Sequence, residues 1–127
     1  MREHNIPQND VCIVDGSQTL EEITQLILEK GPTVIFAIAV TAEKAWIAIK
    51  DLNLIIPNDI SLIVYDDTKW IKLLGITAVA HDLTLISETL VTHIIQRLRA
   101  PSGSVFDHKK IVLPPFIRER KSVLEIL

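Results

Sequence analysis

The stretch Asp59-Ile-Ser-Leu-Ile-Val-Tyr-Asp-Asp67 is an apolar run that ends abruptly in two carboxylates. Leu62 to Tyr65 show no polar alternation, the pattern of a strand covered on both faces within a parallel sheet. Ligands of open α/β sheets bind just outside the carboxyl ends of such strands, and Asp66 and Asp67 occupy that end. The same acids, or Thr68, also suit the N-terminus of a short helix over 69–74, where a side chain accepts from orphan backbone amides. Capping is the more ordinary role for at least one of the two.

Working back from this strand, the same βα alternation repeats. Residues 2–9 read as a helix tail and a loop, with Pro7 preventing continuation. Val11 to Val14 is a short apolar strand, turned by Asp15-Gly16-Ser17. Thr19-Leu-Glu-Glu22 has capping-box spacing, so a helix starts near Leu20, and Gly31-Pro32 stops it. Leu20, Ile23, Leu26 and Ile27 form its core stripe. Thr33 to Ala39 is a second buried strand, rich in β-branched residues. Ala42, Ala45, Trp46, Ile49 and Leu52 then recur at helical spacing over about 41–52, with Asn53 suited to a left-handed stop.

Forward of the acids, residues 76–80 read as a further strand, and Asp82 suits the N-cap of a helix from 83 to about 99. Leu83, Ile86, Leu90, Ile94 and Leu98 line the face of that helix expected to be buried. Residues 100–104 form a turn-rich linker. Short strand pieces are expected at 111–113 and 116–118, at a sheet edge, interrupted by Pro114-Pro115. Strand, helix, strand, helix, strand with short connections predicts an α/β fold with a doubly wound parallel sheet.

Composition narrows the function classes. With 127 residues the chain suits one domain or one lobe of something larger. A formal net charge of -3, from 13 basic and 16 acidic residues, offers no broad basic face for nucleic acid. The single cysteine, Cys12, excludes an internal disulfide and fits a reducing cytoplasm. No secretory signal follows Met1, and no apolar run approaches the ~18 residues of a membrane span. His4, His81, His93 and His108 lack the paired spacing of zinc ligands, so no metal or other cofactor is expected. His93 suits a solvated helix flank, and Lys69, Lys72, Arg118, Arg120 and Lys121 read as surface charges. The apolar fraction of 48% and mean hydropathy of +0.32 are nonetheless high, so some apolar surface should meet a partner.

Four segments together resemble one family. They are Pro32-Thr-Val-Ile-Phe-Ala37, Leu54-Ile-Ile-Pro-Asn-Asp-Ile-Ser-Leu-Ile-Val-Tyr-Asp-Asp67, Ile76-Thr-Ala-Val79 and Leu113-Pro-Pro-Phe-Ile-Arg-Glu-Arg-Lys-Ser122. Over nearly its whole length the chain resembles the effector-binding core of LacI/GalR transcription regulators, which share the type I periplasmic-binding-protein fold. The resemblance implies that residues 1–127 correspond to the C-terminal lobe, with 76–100 as crossover strand and helix, and that the DNA-binding headpiece lies outside the chain. It implies a small-molecule effector, a sugar or related metabolite, held between two lobes of a dimeric regulator that touches DNA only through that headpiece.

Carried over by position, the resemblance assigns Asp66 to the cleft and His81 to the hinge crossover, with Asp15 or Gly16 lining the cleft. Ile38 falls at an effector position but departs from the family pattern, since Ile38-Ala39 replaces two polar residues that commonly grip sugar hydroxyls. Two lost ligand hydrogen bonds of about 1.5–3 kcal/mol each would weaken a sugar by two or more decades. Three readings follow. The first is a non-enzymatic ligand-sensing and dimerisation module of such a regulator. The second is a small phosphoryl-transfer enzyme using Asp66 and Asp67, and the third a periplasmic sugar-binding lobe. The helix over 83–99, expected to pack on a first lobe, and Trp46 with Ile47 should leave apolar surface that a homodimer would cover.

Overall fold

Each strand of the first half is followed by a helix, and most of the helix ends are written in the local sequence. The computed structural model describes residues 11–106 and 110–124. The readings of residues 2–9, His4 and His108 fall outside them. By internal contacts the chain forms two compact units, residues 1–80 with 117–127, and residues 81–116.

In the first unit, β1 (Val11–Val14) leads to α1 (Leu20–Lys30). Thr19 accepts from the Glu22 amide at 3.2 Å while Glu22 accepts from the Thr19 amide at 2.8 Å, so the capping box is closed in both directions. Gly31 stops the helix at φ 52°, a left-handed conformation that costs a glycine little. Next come β2 (Val34–Ile38), α2 (Ala39–Asp51) and β3 (Ser61–Tyr65), then α3 (Lys69–Leu73) and β4 (Thr77–Ala80). Most boundaries fall within a residue of expectation, and one helix start does not. The second strand ends at Ile38 rather than Ala39, and its helix starts two residues early with no capping side chain. Nothing in the local sequence signals that start.

The sheet order is β1-β2-β3-β4-β5, with β5 spanning Phe116–Arg118, and the first four strands pair in parallel. This is the expected α/β class. The order advances one way, however, so the reversal that defines double winding does not occur among the described strands. Up to β4 each strand lies beside its predecessor across one helix, whereas β5 joins the sheet only after residues 81–115.

Register then decides the core. Cys12 pairs with Ile35 and Ile35 with Leu62, while Val14, Ala37, Val64 and Ala78 form the next row. All of them are buried against Ile23 and Ile27 of α1, Ala42, Ala45, Ala48 and Ile49 of α2, and Ile71 of α3. The alanines let α2 approach the sheet closely. Burial pushes the Cys12 thiol above its ordinary pKa, with Lys30 opposing. The alternate row is less covered, since Ile13 is 68% exposed and Phe36, Ile63, Tyr65 and Val79 are half-buried. Trp46, expected on an exposed patch, instead packs against the core, with the Lys50 ammonium 5.7 Å from its ring centroid. Ile47 is half-buried.

The second unit contains α4 (Leu83–Leu98), whose N-cap Asp82 accepts from the Leu85 amide at 2.9 Å as its position suggests. Its expected buried face is not buried. No residue of α4 is buried, and Leu83 and Leu98 are 72% and 79% exposed. Helical spacing identifies an apolar stripe but does not supply its cover. Residues 111–113, expected as strand, have no regular structure; only 116–118 pair, at the sheet edge as expected.

Leu62 and Leu90 therefore separate core from surface. Leu62→Ala is expected to cost about 2–5 kcal/mol in urea unfolding, and Leu90→Ala less than about 1 kcal/mol under dilute, monomeric conditions. Equal costs at the two positions would contradict this division.

Candidate functional site

The carboxyl ends of β1, β2 and β3 lie side by side because the three strands are parallel and in register. Val14 pairs with Ala37 and Ala37 with Val64, so Asp15, Ile38 and Tyr65 form the next row, with Asp66 one residue beyond. The structure thus brings together three of the four sequence-named positions. His81, the fourth, is half-buried and follows Ala80 at the end of β4, where the chain enters the second unit.

Asp15 begins a tight turn. Its Oδ1 accepts from the Ser17 amide at 2.8 Å and from the Ser17 hydroxyl at 2.6 Å, which holds its carboxyl below the ordinary pKa. The Asp15 amide donates to Gln18 Oε1, and Lys44 Nζ of α2 donates to the Gln18 carbonyl at 2.9 Å. Thr41, fully buried, donates to the carbonyls of Val14 and Ile38. These bonds fix the mouth of the sheet to α2. Ile38 is 37% exposed there, an apolar side chain at the rim, and α2 starts beside it with its first amides uncapped by any side chain.

Asp66 and Asp67 differ completely in setting. Asp66 is exposed and holds φ at 80°, a conformation that costs a non-glycine residue about 1 kcal/mol or more. Its amide donates to the Val79 carbonyl at 3.0 Å, and its carbonyl accepts from the Thr68 amide at 3.2 Å. Neither acid caps α3. Thr68 is the N-cap, with no side-chain capping bond, which corrects the capping expectation.

Asp67 is occupied elsewhere. Its Oδ2 accepts from Arg120 Nη2 at 2.8 Å and lies 3.3 Å from Arg118 Nε. The Asp67 and Arg120 side chains are only 15% and 13% exposed. The Arg120 hydrogen bond, then the charges of Arg120, Arg118 and Lys72, hold the carboxyl below its usual range despite burial. Arg120 is therefore not the surface charge that the sequence suggests. Its other nitrogen donates to the Ile76 carbonyl at 2.6 Å, and its amide to Thr77 Oγ1 at 3.0 Å. Sequence offered no signal for this pairing, because the partners lie 53 residues apart.

The second unit holds a groove of about 820 Å³ between α4 and the segment that returns from it, walled by Ile86, Leu90 and Ile94 against Phe106 and Ile111. None of the four positions named from the sequence lines it. His93, half-buried, does, so it is less solvated than its helix position suggests. The groove follows the incompletely covered apolar stripe of α4, with Thr89, His93, Gln96 and Arg97 also in its lining. Among the described residues no cluster of His, Cys, Asp and Glu could hold a metal ion.

The depressed Asp67 carboxyl sets a pH dependence. Its folded pKa lies below the unfolded value of about 3.9, so its contribution is full above that value and is lost as pH falls through the folded pKa. Asp67→Asn is expected to lower stability at pH 7 by about 1–3 kcal/mol and to flatten the acid limb below about pH 4 in urea unfolding. An unchanged acid limb would show that the ion pair contributes nothing to folding.

No curated protein matches the chain significantly. Solved structures do match. A LacI family regulator from Arthrobacter sp. FB24 in complex with lactose aligns at 20% identity with a TM-score of 0.72, covering 86% of this chain and 42% of that one. A LacI family regulator from Enterococcus faecalis V583 with bound ribose aligns at 24% identity and TM-score 0.68, covering 84% and 41%. The Lac repressor dimer bound to operator and the anti-inducer ONPF aligns at 25% identity and TM-score 0.64, covering 84% and 37%. The chain thus spans about two fifths of the length of these relatives. A family model for the periplasmic binding protein-like domain matches residues 1–123. The chain belongs to the family of periplasmic binding protein-like domains, and its fold is that of the corresponding part of LacI-family transcription regulators.

Proposed function

We propose that the chain is the effector-sensing and dimerisation module of a LacI-type transcription regulator, working in a bacterial cytoplasm on a small metabolite of the sugar class. The observation that carries this is the row of strand ends, where Asp15, Ile38 and the left-handed Asp66 meet at the carboxyl edge of a parallel sheet. Asp66 and Asp15 would accept from ligand hydroxyls, and Ile38 would supply an apolar wall. The structural relatives bound to lactose and ribose support a sugar-like effector.

An enzymatic role is disfavoured by the state of the two acids. Asp67 is taken up by two guanidinium groups, so Asp66 and Asp67 do not form a carboxylate pair free to share a proton or a metal ion. Among the described residues no helix is long and apolar enough to cross a membrane. DNA contact is assigned to a headpiece outside this chain, whose own net charge is -3.

The apolar rim at Ile38 makes the sugar grip weak. Calorimetry of this chain with a panel of pentoses and hexoses is expected to give dissociation constants above about 1 mM, and Ile38→Asn combined with Ala39→Asp to tighten one of them by about tenfold or more. Micromolar binding by the unaltered chain, or no gain in the double variant, would count against this reading of the site.

Self-association is expected through α4. Leaving Leu83, Leu90, Ile94 and Leu98 in water forgoes roughly 1.5–3 kcal/mol per side chain, and a twin helix offers the same stripe. Sedimentation at micromolar concentration should report a dimer that Leu90→Glu with Ile94→Glu converts to monomer. A monomeric unaltered chain that binds no hydrophobic dye would refute the dimer.

A further inference from the structure

We propose that Asp67, Arg118 and Arg120 act as a positioning clasp, fixing the left-handed turn at Asp66 and tying it to the strand by which the chain re-enters the first unit. The inference rests on the reading of Asp66 as an effector contact, but its test needs no ligand. A non-glycine residue at φ 80° keeps that conformation only where its neighbours over-determine it. Asp66 has backbone bonds on one side, to Val79 and Thr68, and the Asp67 carboxylate on the other.

That carboxylate has little freedom. Its Oδ2 takes both guanidinium contacts, while Oδ1 is buried and without a hydrogen-bond partner, as is the neighbouring Thr68 hydroxyl. Its charge is thus balanced by the two arginines. Arg120 is equally fixed, since its other nitrogen holds the Ile76 carbonyl and its amide holds Thr77. The flanking residues hold as well. The Lys121 amide donates to the Gly75 carbonyl at 3.0 Å, and Ser122 bonds Leu62 and Thr77. Arg120 cannot follow a carboxylate that moves.

Arg118 gives the clasp its second function. The chain leaves the first unit after Ala80 and returns at Ile117, so Arg118 is the second residue after re-entry and belongs to β5. A displacement of β5 acts on Asp67 through one side chain, and through Asp67 on the backbone of Asp66. The effector acid and the return crossing are in this way coupled by an ion pair, and either can bias the other.

Amide hydrogen exchange of the full chain, followed by NMR, tests this. In Arg120→Gln the Asp66 and Thr68 amides are expected to exchange about tenfold faster, while the β1 and β2 amides of Val14 and Ala37 stay unchanged. Arg118→Gln, a milder lesion at a half-exposed side chain, should show the same pattern with a smaller factor, and Asp67→Asn should match Arg120→Gln. Arg120→Lys, which keeps the charge but not the fork, should rescue only partly. If Arg120→Gln fails to fold, the Arg118 and Asp67 variants still report on the turn. Acceleration shared equally by all sheet amides would mean a general stabilising role, and unchanged exchange at Asp66 would mean no clasp. Either result overturns the proposal without touching the effector reading, whose own failure would appear only in the sugar calorimetry.

Discussion

The Ser122 hydroxyl donates to the Leu62 carbonyl and accepts from the Thr77 amide at 2.8 Å, and the Leu62 amide donates back to the Ser122 carbonyl at 2.9 Å. These bonds close the sheet between β3 and β4, where the strand pairing begins only at Ile63 and Thr77. All the groups belong to buried residues. A buried backbone donor or acceptor left unpaired costs about 1–3 kcal/mol, so the return segment is a requirement of the parallel sheet and not an appendage to it. Residues 118–124 extend the same lacing. Leu124 donates to the Ser61 hydroxyl, and Arg120 engages Asp67, Ile76 and Thr77. A parallel sheet cannot close with hairpins, so a strand end that delivers acids must be secured by chain arriving from far away in sequence.

Local chemistry made much of this fold legible beforehand. The Thr19 and Glu22 box, the Asp82 cap, and the left-handed stops at Gly31 and Asn53 are each decided within a few residues. The strand centres were equally plain from their β-branched runs. What escaped depends on distance. Nothing near Asp67 in sequence announces that its carboxylate faces Arg120, and nothing near Arg120 distinguishes it from a solvated charge. The early start of α2 at Ala39 escaped for a different reason, because a helix held by packing alone writes no cap.

The candidate site divides in the same way. Register brings Asp15, Ile38 and Asp66 to one edge, a result implicit in the repeated strand-turn pattern. The unequal lives of Asp66 and Asp67 were not implicit. The left-handed turn at Asp66 leaves that residue exposed and lets the next carboxylate fold back under the sheet edge to meet the arginines. Adjacent acids that look interchangeable as a motif are thus a surface group and a structural anchor. That separation is the physical argument against chemistry by Asp66 and Asp67 as a pair.

The apolar excess in the composition finds its explanation in cover that comes from one side only. Helices α1, α2 and α3 bury one row of each strand, yet the strands are apolar in both rows, as befits a sheet covered on both faces. Ile13, Phe36, Ile38, Ile63, Tyr65 and Val79 therefore stay partly wet, and separately so does the stripe of α4. The strands carry residues chosen for burial that the described helices do not deliver. A surface of that kind is stable in isolation only at a cost in solubility, and its natural resolution is association. The face that the described helices leave open is one that other protein surface would cover.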